Sequence, residues 1–360
     1  MANPQTVLIG LSGLQPVTKL RAAFEQRGWK VQVAYDTLTT FHHAMKTNPE
    51  VVLISSALPG GGGLFLLKRM RQFVQTAPIP VITIIERDGP TREALTAAGA
   101  SHCLYEHFEF SSLFAAIQVL LEISTTVREA PEEAIRNPER LTALKRSGLL
   151  DSPPTESFDE LTRLATSLLG TPVALVSLVD ESRQFFKSQM GLAEPWASLR
   201  QTPLSHSFCQ WVVTSQDELV IADARQHRGL LSNLAVRDLG VVAYAGMPIS
   251  APGGEMLGSF CAIDVKPHQW SDEDLAILRD LSRIAEAYTI LEIGQDLTPT
   301  PVPGEHDIEV TSQIINLALS CAGDIVSRRG PQLPGTQTAM LENITNRLKQ
   351  VLAQLIALPA

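Results

Sequence analysis

Residues 49–64 read PEVVLISSALPGGGGL, and this order decides how the first part of the chain folds. The apolar residues Val51, Val52, Leu53 and Ile54 run into Ser55, and Pro59 with the four glycines 60–63 then breaks the run. A short apolar run bounded by turn residues predicts a strand covered on both faces. After the glycines, Leu64, Leu67, Met70 and Phe73 keep the spacing of one helix face. The alternation extends in both directions. Residues 7–9, 31–33, 81–85 and 103–105 predict four more strands, with helix-period segments between them. Residues 1–125 are therefore expected to form an α/β doubly wound parallel sheet.

The remaining sequence has a different grain. Residues 126–136 are charged and lack a core pattern, which predicts a linker. Within 137–294, two helical patterns flank a turn at Asp151-Ser152-Pro153-Pro154, and strands are then expected over 173–179, 185–188, 219–221, 241–249 and 256–263. Pro252-Gly253-Gly254 joins the last two as a hairpin. Ser271 followed by three acids predicts the start of a long helix. Strands in a run between helices predict an α+β domain with an antiparallel sheet. A Pro-rich linker, 295–306, precedes a helical hairpin over 307–360. Leu341, Ile344, Leu348, Val351 and Leu355 form a narrow apolar seam that needs a partner, either on this chain or on a second subunit.

Composition bounds the function. A chain of 360 residues suits two or three domains, and its net charge of -9 with no basic run argues against a nucleic-acid surface. The four cysteines, Cys103, Cys209, Cys261 and Cys321, form no CxxC pair, which fits a reducing compartment without a zinc site. The N-terminus lacks the basic region of a signal peptide, and no apolar run reaches membrane-spanning length. The expectation is a cytoplasmic protein with no metal, no cofactor, no membrane and no nucleic-acid partner.

The order of elements, with Pro59, Gly63-Leu64 and Ala98-Gly99-Ala100, resembles a response-regulator receiver domain. The resemblance implies a phosphorylation site at five positions, and this chain departs from it at each. Leu11 and Ser12 stand where two acids hold Mg²⁺, and Ser55 stands where an Asp accepts the phosphoryl group. Ile85 replaces the Thr or Ser, and Glu106 replaces the Lys. Mg²⁺ needs carboxylate oxygens, so a degenerate, phosphorylation-incompetent receiver is expected. Its docking face would include Tyr105, His107, Phe108 and Phe110, unless the two Phe rings pack under the last helix.

Residues 138–293 closely resemble a GAF domain of bacterial signalling proteins. The resemblance is carried by Leu149-Leu150-Asp151-Ser152-Pro153-Pro154, Ser205-His206-Ser207-Phe208-Cys209 and Gly258-Ser259-Phe260-Cys261-Ala262-Ile263-Asp264, among other stretches. It implies a pocket on one face of the sheet, with Phe186, His206, Phe208, Cys209, Trp211, Tyr244, Met247 and Phe260 as candidate lining. The aromatic residues could equally fill the core. Cys209 could be reactive if His206 lowered its pKa, whereas the loop 230–238, where GAF reductases carry a resolving cysteine, has none. The reading is a non-enzymatic signalling adaptor or regulator, with a small-ligand or partner-protein input. A homodimer is expected through the C-terminal helices and Leu275, Leu278, Leu281 and Ile284, and a signalling protein is the expected partner. The alternatives are a thiol reductase using Cys209 and a ligand-free scaffold.

Overall fold

The computed structural model describes residues 5–12, 14–87, 89–123, 130–295, 305–330 and 333–356. The chain divides into two compact units, one of Met1–Ala130 with Arg228–Ser232 and one of Pro131–His227 with Asn233–Ala360. The first alternates β1 (Thr6–Gly10), α1 (Leu14–Glu25), β2 (Lys30–Ala34), α2 (Thr37–Thr47), β3 (Val51–Ser55), α3 (Gly62–Gln72), β4 (Val81–Ile85), α4 (Arg92–Ala97), β5 (His102–Tyr105) and α5 (Phe110–Ile123). The strands form a parallel sheet in the order β2-β1-β3-β4-β5. Successive side chains of a strand point to opposite faces, so β3 feeds two cores. Val52 and Ile54 pack with Leu66, Leu67, Met70 and Leu95. Val51 and Leu53 pack with Phe24, Leu113 and Ile117.

The glycines after β3 answer a geometric demand. Gly60, Gly61 and Gly62 have φ of 87°, 123° and 80°, a region that side chains with a Cβ rarely adopt. Gly63 has an ordinary φ but lies so close to the strand end that a Cβ would sit 2.6 Å from the Ser55 carbonyl oxygen. The run is thus a tightly specified turn that delivers α3 directly under β3.

The second unit begins with α6 (Glu132–Ile135), α7 (Pro138–Arg146) and α8 (Glu156–Leu169). Then come β6 (Val173–Val179), β7 (Arg183–Met190), α9 (Trp196–Leu199), β8 (Gln201–Pro203), α10 (Cys209–Ser215), β9 (Leu219–Ile221), α11 (Leu234–Asp238), β10 (Ala243–Ser250) and β11 (Met256–Asp264). Three long helices follow, α12 (Asp272–Gln295), α13 (Glu305–Arg329) and α14 (Gly335–Ile356). The six strands pair antiparallel in the order β8-β7-β6-β11-β10-β9. α12 starts as its sequence dictates: the Ser271 hydroxyl accepts from the Asp274 N–H at 3.1 Å, and the Asp274 carboxylate accepts from the Ser271 N–H at 3.0 Å.

Three expectations are corrected. Residues 131–136 of the expected linker belong to the second unit. Ile135 is buried and its carbonyl accepts from Arg140; the acids 132 and 133 hid this short helix from a pattern reading. Second, the C-terminal hairpin is not a separate body. Ile315, Ala318 and Ile325 of α13, with Leu341, Ile344 and Leu348 of α14, lie in one core with Leu278, Leu281 and Ile284 of α12. The seam and the helix face expected at a dimer interface are therefore buried within one chain. Arg328 bonded to Asp280 ties α13 to α12, and Gln337 bonded to Ser167 ties α14 to α8. Third, one helix among the described residues, Glu309–Arg329 within α13, is long and apolar enough by length and composition to cross a membrane. Its Ser, Asn and Gly residues interrupt the apolar run and conceal it from a reading that seeks continuity. The Pro-rich stretch 296–304 lies outside the described residues.

Two buried cations hold the ends of this unit. Arg140 donates to the carbonyls of Val179 at 2.7 Å and Met256 at 3.3 Å, as well as to Ile135, and burial pulls its pKa down to about 10. Lys187 of β7 is 1% exposed, yet its three donors all find acceptors: Glu292 at 2.7 Å, Ser152 at 2.9 Å and the Pro153 carbonyl at 3.1 Å. Glu292 lies near the end of α12, so this ion pair fixes that helix to the sheet. For the first unit, the Gly63→Ala variant is expected to lose about 1–3 kcal/mol, because the intruding Cβ meets backbone. A urea midpoint unchanged from wild type would refute the close approach.

Candidate functional site

The first unit's candidate site lies at the C-terminal end of its sheet. Ser55 closes β3 and is buried. Its hydroxyl donates to the Glu86 carboxylate and accepts from the Ala57 N–H at 2.9 Å. The neighbouring Ser56 hydroxyl accepts from the Glu86 N–H at 3.0 Å. Glu86 follows β4 directly, so the parallel pairing of β3 with β4 brings it over Ser55. Of the other positions, Leu11 packs into the α1 and α5 core and Ile85 into the opposite one. Ser12 and Glu106 are exposed. Sequence reasoning missed Glu86; the signal available was a carboxylate directly after the strand beside β3.

On the face expected to dock a partner, Tyr105 is 62% exposed and lies under the Arg92 guanidinium, 5.2 Å from the ring centroid. Phe110 is exposed as well, while Phe108 packs partly against the core. The expected patch thus keeps Tyr105, His107 and Phe110 in solvent.

In the second unit, the expected pocket residues divide between the two faces of the sheet. Met247 and Phe260 pair across β10 and β11 and point into the helix-covered core with Leu161, Leu281 and Ile284. They cannot line a pocket with Cys209, which corrects that expectation. Parity along the strand carried the signal, since positions 244 and 247 must face opposite ways. The other face carries Tyr244, Cys261 and Ser259, covered by α10 with Cys209 in its first turn. Phe208 stacks at a tilt on Tyr244, with centroids 5.3 Å apart. Phe186 and Trp211 are buried. Large side chains therefore occupy this face.

At its centre, the Cys209 and Cys261 sulfurs are 3.9 Å apart. The Tyr244 hydroxyl donates to Cys209 Sγ at 3.3 Å and lies 3.2 Å from the Ser259 hydroxyl. The hydrogen bond with Cys261, and after it the one from Tyr244, pull the Cys209 pKa down to about 7 against the opposing effect of burial. Burial and the same sulfur pair push Cys261 well up. The activation expected from His206 does not operate. His206 sits at the rim, where its Nδ1 meets the Ser205 hydroxyl at 3.1 Å and its Nε2 meets Asp238 at 3.0 Å. Arg237 grips the same carboxylate and, by that hydrogen bond, lowers the Asp238 pKa to about 2.

This Ser205–His206–Asp238 chain latches the turn before α10 to α11. The Asn233 side chain reinforces the latch by donating to the Ser207 carbonyl at 3.1 Å. The His206→Ala variant is expected to speed amide hydrogen exchange over 230–240 by about tenfold, while leaving α12 protected. Unchanged exchange there would show that the latch carries no stability.

Comparison with known proteins follows the same division. Residues 16–118 match the response regulator receiver domain, and residues 153–288 match the GAF domain. A cyclic di-GMP phosphodiesterase of Pseudomonas aeruginosa is 34% identical over 142 residues, covering 39% of this chain and 23% of that protein. The transcriptional regulatory protein TrcR of Mycobacterium tuberculosis is 27% identical over 118 residues, covering 32% of this chain and 45% of that protein. The chain thus spans less than half the length of either curated relative. Among solved structures, the receiver domain of a sensor histidine kinase of Pseudomonas aeruginosa aligns over 33% of this chain and 99% of that one, with 19% identity and a TM-score of 0.32. The chain carries a response regulator receiver domain followed by a GAF domain, and with them the domain content of a signal-transduction regulator.

Proposed function

We propose that this protein is a non-enzymatic, cytoplasmic regulator whose receiver domain works without phosphoryl transfer. The observation that carries this reading is the bond between Ser55 and Glu86. Receiver chemistry needs a carboxylate nucleophile, a divalent cation on further carboxylates and a lysine to neutralise the phosphoryl group. Here the nucleophile's position holds a hydroxyl that already donates to a carboxylate. Glu86 places a carboxylate where a phosphoryl group would arrive, and like charges repel. Incubating the full chain with acetyl phosphate and Mg²⁺ is expected to leave its intact mass unchanged. A Mg²⁺-dependent phosphoryl adduct on the receiver domain would overturn the proposal.

With the receiver fixed in one chemical state, the signal enters by contact or through the GAF domain. Phe186, Phe208, Trp211 and Tyr244 are buried on the α10 face, which favours a protein contact over a large ligand at that place. The exposed Tyr105 and Phe110 supply apolar surface for a signalling partner. The four free cysteines, all buried, suit a reducing compartment. The relative that is a phosphodiesterase shares too little of its length to lend its activity to this chain. A homodimer remains part of the proposal, formed by surfaces of the C-terminal helices other than the buried seam. Sedimentation of the full chain at micromolar concentration is expected to show a dimer, and a monomer throughout would remove it.

A second reading, a thiol enzyme centred on Cys209, is favoured by the neighbouring Cys261. Under that reading Cys209→Ser would abolish a reductase activity; under the first it would alter no turnover.

A further inference from the structure

The free cysteines fall into two kinds. Cys103 and Cys321 are buried, and burial raises the pKa of each, to about 12 for Cys321. Both are inert thiols of the ordinary core type. Cys209 and Cys261 are buried as well, 2% and 0% exposed, but they face each other at 3.9 Å from separate elements, α10 and β11. A disulfide needs its sulfurs at about 2.05 Å, so closure requires a movement of about 2 Å shared between two side chains. The phenol of Tyr244 fixes the Cys209 sulfur beside its partner.

We propose that Cys209 and Cys261 form a reversible thiol pair within the GAF core that is oxidised by small hydroperoxides. This goes beyond the regulatory reading above and stands independently of it. The Cys209 thiolate attacks one oxygen of the hydroperoxide. The O–O bond breaks, Cys209 becomes a sulfenic acid, and the other oxygen leaves as an alcohol or water after taking a proton. The Cys261 sulfur then attacks the Cys209 sulfur. The S–S bond forms, the S–O bond breaks, and hydroxide leaves as water with the Cys261 proton. Two thiols thus give up two electrons to one peroxide bond. A dithiol reductant returns two electrons and two protons by exchange through a mixed disulfide.

The roles follow from the surroundings. Cys209 receives the hydrogen bonds that favour a thiolate, whereas Cys261 is held protonated by burial. Access comes through α10, a helix of seven residues whose first residue is Cys209. All seven residues of α10 are buried, so the hydroperoxide reaches the pair only when this helix opens locally while the sheet stays folded. Closure takes the Cys209 sulfur away from Tyr244, which then retains only Ser259. Because α10 also packs against α6, the oxidised pair would be felt at the start of this unit.

The test uses the reduced full chain treated with hydrogen peroxide, then alkylated under denaturing conditions and mapped by mass spectrometry. The expected product is a single linked peptide joining Cys209 to Cys261, reversed by dithiothreitol. Cys103 and Cys321 are expected to oxidise at least about tenfold more slowly. The Cys261→Ser variant should stop at a Cys209 sulfenic acid, trapped as a dimedone adduct. Recovery of all four thiols as alkylated peptides, or a linkage through Cys103 or Cys321, would overturn the proposal. Oxidation of Cys261 persisting in Cys209→Ser would overturn the assigned order. If a serine variant fails to fold, the wild-type linkage map still decides.

Discussion

Period-two alternation along β10 and β11 is the constraint on which the second unit depends. It sends Met247, Phe260 and Ala262 to one face of the sheet and Tyr244, Ser259 and Cys261 to the other. The first set is purely apolar and can be closed only by apolar helix faces. The second carries hydroxyls and thiols, which must satisfy one another once α10 covers them. One sheet therefore supports two interiors of different chemistry. A polar substitution at Phe260 would strike the helix core, while the same change at Ser259 would strike the thiol site one residue away.

Buried charge is handled with equal economy in this unit. Lys187 brings an ammonium group into the core, and three acceptors from the segment before α8 and from α12 meet it. Arg140 has as its hydrogen-bond partners the carbonyls of Val179 and Met256 at strand ends and of Ile135 at the end of α6. Each cation therefore specifies which backbone ends come together, beyond any contribution to stability. The last turns of α12 cannot rotate freely, because Glu292 is held both by Lys187 and by Thr155 at 2.7 Å.

The strands were largely legible because apolar runs such as 51–55 and 173–179 are bounded by residues that cannot continue them. The edge strand β8, Gln201–Pro203, was not, since three residues without an apolar pattern owe their strand state to pairing with β7. The seam of α14 was legible as a face, but a face does not name its partner; that required the packing of α12, α13 and α14 in one core. The thiol pair was half legible. Cys209 and Cys261 stood out as residues, yet they lie 52 positions apart and meet only because α10 crosses β11. Glu86 shows the same limit, since its contact with Ser55 depends on the register of β3 with β4.

The shared helical core also bears on where this unit may be divided. The GAF match ends at residue 288, but the core continues through Ile315 and Ile325 to Leu348. A fragment cut at that match would retain every strand and lose the cover over Leu278, Leu281 and Ile284. The apolar area so bared would drive such fragments to associate with one another. Homology thus marks out the sheet, whereas the compact unit of this chain is larger and includes α13 and α14.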